Sequence, residues 1–407
     1  MFAHMPTTLL RGGRPAIPVA DLPSDRLDLR LGDGVVIEVG PTLQPRPGEE
    51  VVELDGYVIS PAAVEPHAHL DKAFLAERIT NDTGDLMGAI LAMRANRHLL
   101  GVPETVERAE RAARLMVEQG YRAVRTHADL AKEHGLRSIE ALTEVRRRLG
   151  DLLDIEIVAL TGWPVLGSEG AAHRALLMEA LDAGADLVGG CPHLEPNGAA
   201  RAATGFLLET ANDAGVGIDL HTDETLDGDV LGLLHLVDAI EQGFSLPITA
   251  SHCVSLGVQT EDRQREIAER VAASGIGIVV LPHTNLFLQG RGHAPMPRGL
   301  TAVAALREAG ASLAAGADNI QDPFNPVGRV DPLETAGLMI MTSHLLPADA
   351  WATVTSGAST VVGIPPGQLA QGDRADLLAV RATTLREAIA FGPADRIVWR
   401  HGVRLAR

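Results

Sequence analysis

Tyr57-Val58-Ile59-Ser60-Pro61-Ala62-Ala63-Val64-Glu65-Pro66-His67-Ala68-His69-Leu70-Asp71-Lys72 is the stretch on which the fold turns. Its first half is an apolar, β-rich run, and its second half carries two histidines two positions apart. In a strand, residues i and i+2 face the same side. His67 and His69 therefore aim two imidazoles at one point, where the strand ends. Two neutral imidazoles on one side suit a divalent transition metal of the zinc or iron type. An isolated His-x-His is a weak signal, so its weight depends on what recurs downstream.

Working outward, short apolar runs fall at 58–64, 123–126, 156–160, 186–189, 217–220, 247–250, 277–281 and 312–316. The stretches between them read as amphipathic helices, as at 106–116 and 263–272. Several close on a glycine, such as Gly120 or Gly215, as a left-handed helix cap prefers. Runs that are apolar throughout suit parallel strands covered on both faces. Eight βα repeats admit a closed (β/α)8 barrel or an open doubly wound sheet. The count of eight, with no Gly-x-Gly-x-x-Gly after the first run, favours the barrel. The flanks alternate apolar and polar residues around tight turns, as at 27–39, 375–380 and 396–405, which predicts antiparallel strands. The expected architecture is α/β: a (β/α)8 TIM barrel over 61–364, flanked by a small β-sandwich built from both chain ends, 1–60 plus 365–407.

Composition narrows the partners. The chain has 407 residues, 46% of them hydrophobic and 22% charged, which supports a large core and argues against disorder. A formal net charge of -18 speaks against a nucleic-acid or anionic-membrane partner. Cys191 and Cys253 cannot make a disulfide framework, so a metal would be held by nitrogen and oxygen. Residues 1–8 lack a signal-peptide pattern, and no apolar run reaches the roughly 18 residues of a membrane span. A soluble, cytoplasmic protein acting on a small molecule is expected, with a homo-oligomer left open.

Most of the predicted strands end on polar residues. The first ends on His67 and His69, the second on Arg125-Thr126-His127-Ala128-Asp129, and the fifth on His221-Thr222-Asp223-Glu224. Ser251-His252, His283 and Asp318-Asn319 end the last three. The C-terminal mouth of a barrel is where its βα loops converge. A single histidine is more often a hydrogen-bonded structural residue, the reading given to His134 and His173. A coincidence at so many strand ends strains that reading. His67, His69, His221 and Asp318 then suggest one mononuclear divalent centre, Zn or Fe, with room for a water whose pKa falls to about 7. Glu224 is placed to carry a proton from that water to a leaving nitrogen. His252 is placed to hold the water or a developing oxyanion, and Asp318 to accept a proton. No lysine stands where it would bridge two metals. Asp71 and Lys72 read either as groups that orient the histidines or as a surface salt bridge.

At these residues the chain resembles the amidohydrolase superfamily, and within it the cytosine deaminase-like branch. The segments Glu65-Pro66-His67-Ala68-His69-Leu70-Asp71, Val124-Arg125-Thr126-His127-Ala128-Asp129, His221-Thr222-Asp223-Glu224 and Thr249-Ala250-Ser251-His252 carry the likeness in order. Leu286-Phe287-Leu288-Gln289-Gly290-Arg291 and the run from Asp318 through Phe324 to Gly328 extend it. The resemblance implies a barrel with a flanking sandwich, one Fe or Zn ion, and hydrolytic removal of an amine from a heterocycle. It places the metal on His67, His69, His221 and Asp318, the proton shuttle on Glu224 and the water-orienting role on His252. Trp163, Gln289, Asn319 and Phe324 are the expected substrate contacts. Leu160-Thr161-Gly162-Trp163-Pro164 lacks the glutamine with which bacterial cytosine deaminases read the pyrimidine edge. A missing amide leaves that edge unpaired and argues against cytosine itself. Asn319 and the Asp71-Lys72 pair are instead similar to N-isopropylammelide amidohydrolases.

The expected reaction is attack by metal-bound hydroxide on the C–N carbon of a nitrogen heterocycle or cyclic amidine, releasing ammonia or an amine. The alternative within the same fold is a cyclic amidohydrolase that opens a ring amide. A non-catalytic metal-binding protein is the reading from a different class. The His-x-Glu…Pro-Cys-x-x-Cys pattern of the zinc cytidine deaminases is absent around Gly190-Cys191-Pro192-His193.

Overall fold

The computed structural model describes residues 7–19 and 25–406, so the signal-peptide reading on residues 1–6 lies outside the described part. Alternating residues near the start form β1 (Thr8–Pro15), β2 (Leu27–Gly32), β3 (Val35–Gly40), β4 (Glu50–Glu53) and β5 (Tyr57–Pro61). The barrel strands follow: β6 (Ala63–Ala68), β7 (Tyr121–Asp129), β8 (Asp154–Leu160), β9 (Leu187–Gly190), β10 (Ile218–Thr222), β11 (Ile248–His252), β12 (Gly277–Val280) and β13 (Ser312–Ala315). The chain ends on β14 (Leu377–Arg381), β15 (Arg396–Arg400) and β16 (Val403–Arg404).

Strands β6 to β13 pair in parallel in chain order. The seam between the last and first strands is closed by Asp318, whose backbone amide donates to the His67 carbonyl at 3.1 Å. Its carbonyl accepts from the His69 amide at 3.3 Å. The doubly wound alternative is thereby set aside. The second sheet joins both chain ends: β14 pairs antiparallel with β5, and β1 pairs with β2, β4 and β5. Leu10, Leu29, Leu31, Ile59, Leu377 and Trp399 fill its core.

The run expected as one strand at 58–64 is two. Tyr57–Pro61 belongs to the outer sheet and Ala63–Ala68 to the barrel. The change of sheet happens at Ala62, whose amide donates to the Asp376 carbonyl. Both halves are apolar because both are covered, so periodicity carries no mark of the break. The consequence is a shift of the histidines: His67 lies inside β6 and His69 just beyond it. Between β6 and the helix Val102–Gln119, the chain inserts a further helix, Leu86–Asn96, capped by Asp85, whose carboxylate accepts from the Gly88 amide at 2.7 Å. This helix overhangs the barrel mouth. No helix among the described residues is long and apolar enough to cross a membrane.

Candidate active site

The ends of the first, fifth and eighth barrel strands bring side chains to one buried point. Asp318 Oδ1 lies 3.6 Å from His67 Nε2 and 3.3 Å from His69 Nε2, and His69 Nε2 lies 3.2 Å from His221 Nε2. Metal–nitrogen bonds of about 2.1 Å at a tetrahedral centre would set neighbouring donors roughly 3.4 Å apart, so these spacings fit one ion. The donor atoms are also short of partners: His67 Nε2 and both Asp318 oxygens are buried without a hydrogen bond. Buried polar atoms left unpaired cost free energy, and a cation shared among them would relieve it. The residues present therefore fit a divalent ion.

The surrounding groups set the protonation of this cluster. His67 and His221 are pushed well below the ordinary imidazole range by burial, then by neighbouring histidines, which keeps them neutral. Burial alone would raise the Asp318 carboxyl, but the His69 contact prevails and lowers it. His67 Nδ1 meets Ser251 Oγ at 2.9 Å, and Ser251 Oγ donates to Asp219 Oδ1 at 3.1 Å. Since the serine proton goes to Asp219, its oxygen accepts from Nδ1–H and leaves the His67 Nε2 lone pair free. Arg125 Nη1 holds the other Asp219 oxygen at 2.9 Å.

Glu224 and His252 stand beside the cluster, with Glu224 Oε1 3.6 Å from His252 Nδ1. Burial, and then the charge of Asp318, pushes the Glu224 carboxyl well above its ordinary range, which suits proton exchange near neutrality. Burial lowers His252 to about 4. Asp318 (φ 62°) and His252 (φ 70°) both sit in the left-handed region. Such backbone costs about 1–3 kcal/mol per residue and collects at functional sites.

His69, His221, Glu224, His252 and Asp318 form the floor of a cavity, with His67 fully buried behind them. Leu86, Ile90 and Met93 of the overhanging helix line one side, and Trp163, Phe324 and Asn319 line others. The Arg94 guanidinium stacks on the Trp163 ring at 4.1 Å. Asn319 is held at both ends, donating to Asp322 Oδ2 at 2.8 Å and accepting from Thr284 Oγ1 at 3.1 Å. Gln289 stands behind the wall, its Nε2 3.4 Å from the Glu224 carbonyl, and is not among the lining residues.

Several strand-end residues behave differently from expectation. His283 turns away to Thr335 Oγ1 at 3.1 Å. The Lys72 amide donates to the His69 carbonyl at 3.2 Å, but the side chains of Lys72 and Asp71 hydrogen-bond neither His67 nor His69 and make no surface pair. Lys72 is buried on the cavity wall, donating to Asp129 Oδ1 at 2.8 Å, and Asp71 accepts from the Asp129 amide and from Ser138 Oγ. His127, assigned no role from sequence, packs its ring 3.9 Å from that of His67, with both nitrogens unpartnered. Asn285 was missed altogether. It is fully buried, and its Nδ2 reaches both His252 Nδ1 at 3.1 Å and Glu224 Oε1 at 3.4 Å. Its one sequence signal is its place four residues after the seventh strand's Leu281.

Comparison with known proteins follows the same lines. A model of the amidohydrolase family matches residues 73–406. Pterin deaminase of Rhizobium rhizogenes is 33% identical over 385 residues, 93% of this chain and 87% of that protein. The crystal structure of 5-methylcytosine deaminase from Klebsiella pneumoniae, liganded with 5-fluorocytosine, superposes with a TM-score of 0.87 at 28% identity, covering 98% of this chain and 97% of that one. N-isopropylammelide isopropylaminohydrolase from Burkholderia multivorans gives a TM-score of 0.83 at 30% identity, with 99% of both chains covered.

Proposed function

The chain belongs to the amidohydrolase family, and from that premise we propose that it hydrolytically deaminates a small aminated nitrogen heterocycle. The observation that carries this reading is the meeting of the unpartnered His67 and Asp318 atoms with the Glu224–His252 pair beneath one cavity, whose floor Asp318, Glu224 and His252 line. His67, His69, His221 and Asp318 would hold a single divalent ion, zinc or iron, whose nitrogen and oxygen donors suit either. When bound, such an ion supplies a water acidified enough to attack at neutral pH.

The chain's own residues then divide the remaining work. Glu224, with its carboxyl raised by burial, takes a proton from the attacking water and returns it to the departing nitrogen. His252 donates a hydrogen bond from Nε2 to the reacting oxygen. Trp163 and Phe324 offer faces for a flat ring, and Leu86, Ile90 and Met93 exclude water from above it. The lining, apolar along one side and polar at the floor, is of the kind that holds a flat heterocycle. Likeness to the pterin deaminase supports a fused pyrimidine such as a pterin as the first substrate to try. The missing glutamine beside Trp163 speaks against cytosine.

The test is amine release from a panel of pterins, pyrimidines, aminotriazines and cyclic amidines by zinc- and iron-loaded protein. Release from at least one class is expected, abolished by chelation and restored by metal. Ring opening would add a whole water to the product mass, whereas deamination exchanges nitrogen for oxygen, so mass spectrometry separates the two. A metal-replete protein silent on the whole panel would sink the reading.

A further inference from the structure

Three histidines, His67, His221 and His252, bring ring nitrogens within 4.8 Å of one another. On distance alone, His252 competes to be a metal ligand rather than a proton donor. The two roles need opposite tautomers. A ligand offers the Nε2 lone pair and carries its proton on Nδ1, whereas a donor carries the proton on Nε2. Which one exists is set by the partner of Nδ1.

That partner is Asn285. We propose that Asn285 is a positioning residue whose amide fixes His252 in the Nε2–H tautomer, making His252 a hydrogen-bond donor to the reacting oxygen and excluding it from the metal. This deepens the deaminase reading and rests on it for the identity of the oxygen, but the tautomer can be observed separately.

The geometry carries the argument. Asn285 is fully buried on the short helix Pro282–Leu288 that follows β12. Its Nδ2 has two hydrogens and two acceptors within reach, His252 Nδ1 at 3.1 Å and Glu224 Oε1 at 3.4 Å. The orientation of an amide is settled by its whole set of contacts. With Glu224 ionised, the form that takes a proton from the water, turning this amide over would set its carbonyl against the Glu224 oxygen, acceptor against acceptor. With Nδ2 donating, Nδ1 of a neutral His252 must accept, and the ring proton lies on Nε2. His252 Nε2 is buried without a protein partner, so once the tautomer is fixed its proton is free to meet the reacting oxygen. One amide group thus ties together the shuttle and the oxygen-orienting histidine, and a single hydrogen-bond donor decides which residues are ligands.

The experiment has two arms on the full-length, metal-loaded protein. Nitrogen-15 imidazole spectra, with His252 assigned by His252→Asn, read the tautomer without any substrate. The expected result is Nε2–H, and Nδ1–H overturns the proposal. In the second arm, Asn285→Asp presents an acceptor to Nδ1. His252 should switch to Nδ1–H, and cobalt-substituted protein should change its visible absorption as a further nitrogen enters the metal's coordination. Where substrate is in hand, kcat should fall about 100-fold, the scale of a lost acid–base or oxyanion contact, with KM within about threefold. A variant with the parent's tautomer, cobalt spectrum and kcat overturns the proposal. Should Asn285→Asp fail to fold, the first arm decides alone. A panel without turnover would count against the deaminase reading and leave both spectroscopic outcomes decisive for Asn285.

Discussion

Asp318 and His67 are joined twice, once through the backbone and once through the site. The Asp318 amide donates to the His67 carbonyl at 3.1 Å, and Asp318 Oδ1 stands 3.6 Å from His67 Nε2. The bond that closes the barrel therefore also sets the spacing of two proposed ligands. Placing a site across a closure seam gives it rigid walls on both sides, which preorganised metal chemistry requires. It also makes metal binding and barrel closure mutually supporting, since an ion drawing these side chains together pulls on the same two strands.

Ser251→Ala probes how the histidine at this seam is oriented. The serine hydroxyl accepts from His67 Nδ1–H and donates its own hydrogen bond to Asp219 Oδ1. Removing it frees the ring to rotate and to change tautomer. Metal affinity is expected to weaken by about 10–100-fold, measured by competition with a chelator. An unchanged affinity would show that packing alone, including the His127 ring against His67, holds the imidazole.

Glu224→Gln separates chemistry from metal binding. The amide keeps an oxygen facing Asn285 but cannot exchange a proton. A fall in kcat of about 10²–10⁴ is expected, with metal content by elemental analysis equal to that of the parent. Loss of metal together with activity would move Glu224 from proton transfer to ligation.

Much of this site was readable because barrel geometry sends chemistry to strand ends. His67, His69, His221, His252, Glu224 and Asp318 all sit where a run of apolar residues stops, and the structure gathers them. Residues that act from behind carry no such mark. Ser251 is an ordinary strand serine, and Asn285 lies in Pro282-His283-Thr284-Asn285, where His283 is the conspicuous residue and yet faces Thr335. The overhanging helix Leu86–Asn96 is nearly uniform in polarity around its axis, with Leu91 exposed while Ile90 and Met93 cover the cavity. The change of sheet at Ala62 is hidden for a different reason: both strands that meet there are buried, so nothing in the alternation changes.

Asp129→Asn tests the charged wall of the cavity. Asp129 accepts from Lys72 Nζ at 2.8 Å and from Arg97 Nη2 at 3.0 Å, with Lys72 almost fully buried. Burial would raise the Asp129 carboxyl, but Lys72 and then Arg97 outweigh it and hold it below the ordinary range. Removing its charge takes the directly paired carboxylate from a buried lysine and leaves only Asp71 and Asp322 to offset it, a loss of at most about 3–5 kcal/mol, read by denaturant unfolding. The sign with pH follows from the lowered pKa. The pair's stabilisation is complete above the unfolded value of about 3.9 and is lost as pH falls below it. The parent should therefore lose this increment in acid, and Asp129→Asn should lack it at every pH. Equal stabilities at neutral pH would mean that Asp71 and Asp322 are enough to hold the Lys72 charge.

Glu65→Gln gives the opposite pH signature at the other side of the seam. Glu65 is fully buried, and its carboxyl oxygens accept from the Ala317 amide at 3.0 and 3.1 Å and from the His67 amide at 3.3 Å. Gly316 makes this possible, because a β-carbon there would collide with the Glu65 carboxyl. Burial pushes the group up to about 8 despite those donors, so the folded protein carries it as a neutral acid at physiological pH. The unfolded chain releases that proton near its ordinary value of about 4.3. Between these values the folded state binds one proton more, so the stabilisation is complete below about 4.3 and is lost as pH rises through about 8. Glutamine offers the same acceptor oxygen without a titrating proton. The parent's Tm should decline more steeply than that of Glu65→Gln between about pH 5 and about pH 8, with the two close together at the acidic end. Parallel declines would mean that Glu65 is ionised in the folded protein, and that the backbone amides of Ala317 and His67 are enough to hold its charge.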